Sequence, residues 1–174
     1  GNGHGCALLA GDRPVCWGWN HYGQLGSGTT TSSPLPVAVV DAPAGIAQLS
    51  AGDEHSCART AAGGLWCWGA NHTGQLGDAT TSPSARPTPV SGMSAGVEEV
   101  SAGLLHTCAI RDGAALCWGR NVAGQVGDGT MTRRLLPTVV AGMESGVVAL
   151  SAGGASCALR SGGWCWGPNI FGGP

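Results

Sequence analysis

The sequence predicts an all-β protein made of propeller-type blades, each with four short antiparallel strands. Two observations lead to this fold class. A cysteine-bearing segment occurs four times, and its leading cysteines recur at intervals of 51, 51 and 49 residues: Cys6, Cys57, Cys108 and Cys157. Glycine or proline also interrupts every window of helix length, while short apolar strands recur in each unit. A repeat of about 50 residues with four short strands is typical of a propeller blade.

The elements of each repeat follow one order. An apolar strand comes first (46–52, 97–103 and 147–153), and the cysteine hairpin follows it. After the hairpin come "WGxN", "GQLG" or "GQVG", a Thr-rich loop and a proline-edged closing strand (36–40, 86–90 and 136–140). We therefore treat the chain as one repeat domain with units at approximately 1–49, 50–100, 101–150 and, as a partial unit, 151–174.

Composition restricts the function classes. The chain has 174 residues, 43% of them hydrophobic, which is enough for a core. Its net charge is −2, and all eight basic residues are arginine. We expect no nucleic-acid partner and no cationic face for anionic lipid, because both need clustered basic side chains. No run reaches the roughly 18 apolar residues of a membrane span, so we expect no membrane insertion. The sequence shows no initiator Met and no signal peptide, which predicts a processed chain or a fragment.

The register of the third hairpin follows from its turn. Asp112-Gly113 is a favoured type I′ pair, which places Arg111 opposite Ala114 and, counting outward, Cys108 opposite Cys117. In this count the two cysteines share a non-hydrogen-bonded rung, where side chains approach most closely. Symmetric pairing of the other three hairpins gives the same result for Cys6 and Cys16, Cys57 and Cys67, and Cys157 and Cys165.

The same register predicts the neighbours of the cysteines. Each histidine faces a glycine, which we expect to leave room for the imidazole: His4, His55 and His106 opposite Gly18, Gly69 and Gly119. On the other face each tryptophan lies opposite a small residue: Trp17, Trp68, Trp118 and Trp166 opposite Gly5, Ser56, Thr107 and Ser156. Large side chains facing small ones predict a hairpin covered on both sides, as in stacked blades.

Four facing cysteine pairs favour four disulfides over a metal or redox site. A structural zinc site usually needs a closely spaced pair such as C-x2-C, and a redox motif needs C-x-x-C at a helix start; the sequence has neither. A disulfide-rich chain belongs in an oxidising compartment, so we predict a secreted or cell-surface protein. His55 shares a strand face with Cys57 and could in principle join it as a metal ligand, but the fourth copy has Ala155 at that position. We therefore expect structural, hydrogen-bonded histidines.

No catalytic or cofactor site is predicted. The glycine-rich segments lack the Lys-Ser/Thr of a phosphate-binding loop, so Gly26, Gly77 and Gly127 are interpreted as turn glycines. Asp78 and Asp128, each followed by a threonine two residues later, are interpreted as turn-capping groups. No Ser, His and Asp set or carboxylate pair recurs, which argues against an enzyme. We expect no metal and no cofactor.

The copies differ most in their connecting loops, where a partner surface would lie. The candidate binding residues are aromatic, histidine or arginine side chains, types common at interfaces: Trp19, His21, Tyr22, His72, Arg86, Arg133 and Arg134. Other variable positions in the same loops are Thr73, Val122, Ala123, Ile170 and Phe171. Neutral loop variation remains the alternative interpretation.

The repeat "SAGxxHSCAxxxxGxxWCWGxNxxGQLGD" resembles that of the regulator of chromosome condensation family, in the cysteine-bearing form common in bacterial extracytoplasmic proteins. The resemblance covers essentially the whole chain, with four copies of "CWGxN" and three of "GQ[LV]G". It implies a β-propeller, usually of seven blades. Because about three and a half repeats cannot close such a ring, we expect a fragment of a longer propeller; an open arc and an oligomer completed by a second chain are the alternatives.

The resemblance and the absence of catalytic residues predict a non-enzymatic module that binds a protein partner in an extracytoplasmic setting. Further repeats of the same longer chain are another candidate partner. The alternatives are a guanine-nucleotide exchange factor, as the founding family member implies, and an enzyme inhibitor built on a propeller. A resemblance to a plant ultraviolet-B photoreceptor would require Trp and Arg where this chain has Asp53-Glu54 and Leu104-Leu105.

Overall fold

The computed structural model describes residues 3–168, which form four consecutive antiparallel sheets. The first contains β1 (His4–Leu9), β2 (Arg13–Gly18) and β3 (Ser33–Ala38). The second contains β4 (Ile46–Ala51), β5 (His55–Thr60), β6 (Leu65–Gly69) and β7 (Ser84–Pro89). The third contains β8 (Val97–Ala102), β9 (His106–Arg111), β10 (Ala114–Gly119) and β11 (Arg134–Val139). The fourth contains β12 (Ala149–Ala152), β13 (Ser156–Leu159) and β14 (Gly163–Trp166). No helix occurs within these residues, so none there could cross a membrane.

Each sheet is a meander, with strands paired in chain order. Strand β8 contacts β4 of the preceding sheet and β12 of the following sheet. Two sheets have four strands. Within the described residues the first sheet has no counterpart of β4 and the last has no counterpart of β7, and the four sheets do not close into a ring. The predicted all-β architecture of blade-like sheets is confirmed.

The hairpin registers agree with the sequence. Asp112 and Gly113 both have positive φ, 51° and 74°, as a type I′ turn requires, and Arg111 pairs with Ala114. All four cysteine pairs face each other across their hairpins. The structure contains a disulfide at each rung, in the four pairs that the register predicted: Cys6–Cys16, Cys57–Cys67, Cys108–Cys117 and Cys157–Cys165.

The closing strands begin earlier than predicted. Strands β3, β7 and β11 start at residues 33, 84 and 134, each of which pairs with the last residue of the preceding strand across a β-bulge. At each bulge the closing strand advances four residues while its partner advances two, and alternation of side chains in the sequence does not reveal such an insertion. Strand β12 starts later than predicted, at Ala149. The sequence-based repeat limits at 50 and 101 lie inside β4 and β8, since a sheet begins a few residues before the repeated "SAG".

The glycines opposite the histidines have a different role from the one predicted. Gly69 has φ of 105°, and a Cβ added there would lie 2.6 Å from the Glu54 carbonyl oxygen and 2.8 Å from the His55 Cα. The glycine therefore permits a close approach of two backbones; it does not make room for the imidazole. Gly18 and Gly119 have the same geometry. The imidazole of His55 is instead close to Gly52, where a Cβ would lie 2.7 Å from its Cε1.

The sheets stack with one polarity. The disulfide face of each sheet packs against the tryptophan face of the next, so Trp118 lies in one apolar cluster with Cys57 and Cys67. Trp68 and Trp118 are fully buried in this way, whereas Trp17 is 36% exposed. The predicted cover on both sides of the hairpin thus holds for the two central sheets. The described residues leave one face of the first sheet and one face of the last uncovered.

Candidate functional site

A repeated set of hydrogen bonds joins neighbouring sheets. His55 Nε2 lies 2.8 Å from Thr107 Oγ1 of the next sheet, and this hydroxyl donates to the Gln75 carbonyl oxygen at 2.8 Å. The other two interfaces repeat the arrangement: His4 with Ser56 and Gln24, and His106 with Ser156 and Gln125. We call each such set the histidine–hydroxyl–carbonyl bridge. All three histidines are 5% exposed or less.

The bridge determines the tautomer of each histidine. A hydroxyl carries one hydrogen, and here that hydrogen is donated to a carbonyl, which can only accept. Therefore Nε2 of the imidazole is the donor to the hydroxyl, and Nδ1 of the neutral ring carries no hydrogen. In His4 and His55 the buried Nδ1 has no hydrogen-bond partner. Protonating the Nδ1 of His55 would bury a charged donor without an acceptor.

Burial lowers the pKa of all three histidines. The pKa of His55 falls from 6.5 to about 3, because desolvation disfavours the imidazolium and because His106 and His4 are near. Desolvation likewise lowers the pKa of His106 and of His4 to about 4. In each of the three histidines Nε2 already takes part in the bridge. Between residues 3 and 168 no group of three or more His, Cys, Asp or Glu is placed to hold a metal.

The bridge carbonyl accepts a second hydrogen bond that the sequence analysis did not foresee. Trp118 Nε1 donates to the Gln75 carbonyl oxygen at 3.0 Å, beside the hydroxyl of Thr107. Gly77 explains how this indole fits, because a Cβ added there would lie 2.6 Å from Trp118 Nε1. Gly26 and Gly127 meet Trp68 and Trp166 in the same way. Part of the signal was present in the sequence, since "GQ[LV]G" begins six residues after Trp17, Trp68 and Trp118. Each motif, however, meets the tryptophan of the next sheet, which the sequence does not show.

The asparagine of "WGxN" is a second feature that the sequence analysis left unassigned. Asn71 is fully buried, accepts from the Leu76 amide at 3.0 Å and donates to Asp78, Thr80 and Ser82. It therefore fixes the Thr-rich loop. Its counterparts Asn20 and Asn121 do the same.

The two aspartates of the Thr-rich loops lie in turns. Asp78 accepts from the amide of Thr80 at 2.9 Å, and Asp128 accepts from the amide of Thr130 at 3.0 Å. Burial raises the pKa of Asp128, but hydrogen bonds from Thr130 and Arg134 outweigh burial and lower the pKa to about 2. Both aspartates thus stabilise local turns.

Replacing Thr107 by alanine is expected to lower the free energy of unfolding by about 2 to 3 kcal/mol, because the Nε2–H of His55 loses its acceptor in a buried site. The matched control is Thr107→Ser, which keeps the hydroxyl and reproduces the residue found at 56 and 156. We expect the serine variant to retain most of the stability. Denaturant unfolding of both variants measures the difference, and equal losses would exclude a role for the hydroxyl.

Most of the predicted binding residues lie at one edge of the sheets. This edge, which we call the loop edge, carries the turns that follow β4 and the loops between β2 and β3 and between β6 and β7. Trp19 is 63% exposed there, and its ring meets His21 edge to face at a centroid distance of 5.9 Å. Tyr22 meets His72 of the next sheet at 5.0 Å. We call these four residues the loop-edge patch.

The predicted arginines are divided between two settings. Arg133 donates to the His72 carbonyl oxygen at 3.3 Å, which places it beside the loop-edge patch. Arg86 forms an ion pair with Asp41, and Arg134 forms one with Asp128 at 2.5 Å. The first pair joins β7 to the segment between β3 and β4, and the second joins the start of β11 to the loop that precedes it. Of the other variable loop positions, Ile170 and Phe171 lie outside the described residues.

The repeats of this chain match the pattern of a known repeat family. The pattern of the regulator of chromosome condensation (RCC1) repeat matches residues 16–59, 62–110 and 112–159, which is more than half of the chain. The chain belongs to the RCC1 repeat family. A related RCC1 repeat pattern also matches residues 46–75.

Curated relatives share part of the RCC1 repeat region. The ultraviolet-B receptor UVR8 of Arabidopsis thaliana is 34% identical over 103 residues, which cover 58% of this chain and 23% of the receptor. The probable E3 ubiquitin-protein ligase HERC4 of Homo sapiens is 40% identical over 76 residues, which cover 42% of this chain and 7% of the ligase. The matches therefore span less than a quarter of either relative.

Solved RCC1-like structures share the fold. Human WBSCR16 superposes with a TM-score of 0.82 at 22% identity, over 98% of this chain and 46% of that protein. Prp20p of Saccharomyces cerevisiae superposes with a TM-score of 0.80 at 21% identity, over 98% of this chain and 43% of that protein. The described residues thus correspond to less than half of each propeller.

Proposed function

We propose that the chain is a non-enzymatic RCC1-type propeller module that binds another protein through its loop edge in an extracytoplasmic setting. The observation that carries the proposal is the loop-edge patch. Trp19, His21, Tyr22 and His72 come from two neighbouring sheets, yet they form contacts at one edge, and Trp19 stays largely exposed. Tyr22 is partly exposed. Tryptophan and tyrosine side chains on a rigid scaffold are common anchors of protein interfaces.

The structural relatives support protein binding as a class of function. Prp20p binds Gsp1p and histones, and it has been solved in complex with Kap60. These partners are those of Prp20p. At 21% identity the likeness supports the fold and leaves this chain's partner to be identified by experiment.

The four disulfides support the extracytoplasmic part of the proposal. Cys57, Cys67, Cys108 and Cys117 are at most 1% exposed and lie between sheets, so the thiols would be buried in pairs if they were reduced. Disulfides of this density persist in oxidising compartments and are rare in the cytosol. Each closes a loop of 8 to 10 residues. In the chain-entropy model a loop of that size stabilises by about 2 to 3 kcal/mol.

Two measurements test the proposal. Alkylation of the chain isolated from its native source should add nothing to the mass before reduction and should modify all eight cysteines after it; eight free thiols would overturn the extracytoplasmic setting. A photo-cross-linking residue placed at Thr30, exposed in the same loop as Trp19, leaves the loop-edge patch intact and should capture a defined protein in the native extract. The same residue placed at Ala62, exposed at the opposite edge of the second sheet, should not capture that protein. Equal capture at both positions, or none at Thr30, would overturn the loop-edge interface.

A further inference from the structure

The loop edge contains one cavity with a distinct chemistry. It has a volume of about 380 Å³, lies between the first and second sheets and is lined by Trp19, His21, Tyr22, Gln24, Asp53 and Glu54. This volume is at the small end of sites that hold ligands, and it suits a single side chain. Two aromatic rings, one imidazole and two carboxylates thus share one opening.

The carboxylates supply a negative charge that the chain does not neutralise. Asp53 and Glu54 make no ion pair with any of the described side chains, and no arginine lines the cavity. Each is partly exposed, so each is available to a ligand. The face of the Trp19 indole is electron-rich and attracts a cation within about 6 Å of its centroid. Ring and carboxylates together favour a positively charged group.

The backbone holds this arrangement in place. The Trp19 amide donates to the Gly3 carbonyl at 2.8 Å. The Asp53 amide donates to the Gly103 carbonyl at 3.2 Å, and the Glu54 carbonyl accepts from the Ala70 amide at 2.9 Å. A cavity whose walls are hydrogen-bonded to three sheets needs little ordering when a ligand enters, which favours binding.

The cavity occupies the first interval, between the first and second sheets. The next interval, between the second and third sheets, provides an internal comparison. It has the same backbone arrangement, but Ala70 stands in the position of Trp19, and Leu104 and Leu105 stand in those of Asp53 and Glu54. The acidic and aromatic side chains are therefore not required by the fold. The first interval alone combines them among the described residues.

We propose that this cavity binds an arginine side chain of the protein partner, with the guanidinium over the Trp19 indole and its N–H groups donating to Asp53 and Glu54. Arginine fits better than other residues because its planar guanidinium stacks on an aromatic face and presents paired donors to a carboxylate. The inference rests on the proposed protein-binding function, and it assigns the chemistry that the loop edge recognises.

A peptide titration of the full chain tests the inference. The probe is the peptide acetyl-Gly-Ser-Arg-Ser-Gly-amide, followed through the indole N–H signals of the seven tryptophans in a nitrogen–proton correlation spectrum. The Trp19 signal is assigned by its loss in Trp19→Phe. We expect the arginine peptide to shift this signal selectively. A peptide in which neutral, isosteric citrulline replaces arginine should bind at least about tenfold more weakly, because it lacks the charge. Binding of the arginine peptide should weaken as salt is raised.

Two variants taken from the chain itself provide controls. Asp53→Leu with Glu54→Leu copies the next interval and should reduce arginine-peptide affinity about tenfold or more. Trp19→Ala copies Ala70 and should reduce the affinity as much; because it lacks the Trp19 signal, its binding is followed through the arginine Nε–H signal of a nitrogen-labelled peptide. Unchanged signals of the other indoles show that the fold is intact. An unmoved Trp19 signal, equal binding of citrulline, or full binding by the double variant would each overturn the inference.

The peptide experiment and the cross-linking experiment fail separately. If a cross-linker at Thr30 captures a protein but the arginine peptide does not bind, the loop edge is an interface and the assignment of arginine is wrong. If the arginine peptide binds but no protein is captured at Thr30, the cavity has the proposed chemistry and the proposed protein-binding function is wrong.

Discussion

Replacing Gly77 by alanine is expected to destabilise the chain by about 2 to 5 kcal/mol, one of the largest effects of any single change. Two costs add. Gly77 has φ of 70°, in the left-handed region that disfavours a Cβ, and the added Cβ would lie 2.6 Å from Trp118 Nε1 and 2.9 Å from Val90 Cγ1. The tryptophan cannot retreat easily, because its indole is fully buried and donates to the Gln75 carbonyl. Urea unfolding measures the loss.

Gly129→Ala is the matched control for this prediction. Gly129 has φ of 78°, but a Cβ added there would meet nothing within 4 Å. Its counterpart in the preceding repeat is Ala79, which adopts φ of 68°. We expect a loss of about 1 kcal/mol from the backbone alone. If the two variants lost equal stability, contact with Trp118 would not be the reason for the glycine.

Acid is expected to weaken the fold between about pH 6.5 and pH 4, before most carboxylates titrate. The pKa of His106 falls from 6.5 in an unfolded chain to about 4 in the folded protein, and that of His55 to about 3. In this window the unfolded state binds protons that the folded state does not, so stability falls as the pH falls. Each histidine should contribute a slope of about 1.4 kcal/mol per pH unit, and His106 a total of about 3 kcal/mol.

Chemical unfolding at a series of pH values checks the acid prediction, with His55→Gln as the control. Glutamine retains an N–H that can donate to Thr107, but it does not titrate. On unfolding in this pH window the variant should therefore take up about one proton fewer than the wild type, and its unfolding free energy should depend on pH less steeply. The lowered pKa of Asp128, about 2, affects stability only below its ordinary 3.8 and does not overlap this window. A slope unchanged by His55→Gln would contradict the role assigned to the buried imidazole.

The hairpins could be predicted from the sequence because local signals determine them. The Asp112-Gly113 turn specifies its own register, and the register then places Cys108 opposite Cys117 without knowledge of the rest of the fold. The bulges between Cys67 and Gly69 and their equivalents could not be predicted, since they depend on how the closing strand approaches from a distant loop. The role of Gly69 was misjudged for a different reason, because its positive φ and its close approach to the Glu54 carbonyl are visible only in the folded chain.

The contacts between sheets were less accessible to sequence analysis. The histidines could be predicted to be structural, but their partners lie about 50 residues away on another sheet. Periodicity reveals that Thr107 and Gln75 recur, yet it does not show that a main-chain carbonyl joins them. The cavity at Asp53 and Glu54 was not predicted. In the sequence these two residues stood out only as a difference from the plant ultraviolet-B photoreceptor, and Trp19 approaches them only in the folded chain.

The one-way stacking of the sheets has a consequence for symmetry. The uncovered face of the first sheet presents Trp17, whereas the uncovered face of the last presents the Cys157–Cys165 disulfide, and like faces never meet between the sheets. Contacts built from unlike faces are heterologous, so they generate closed rings or open helical filaments and no two-fold dimer. Any further sheet of this repeat that stacks on either terminal face with the same polarity therefore continues the array in one direction.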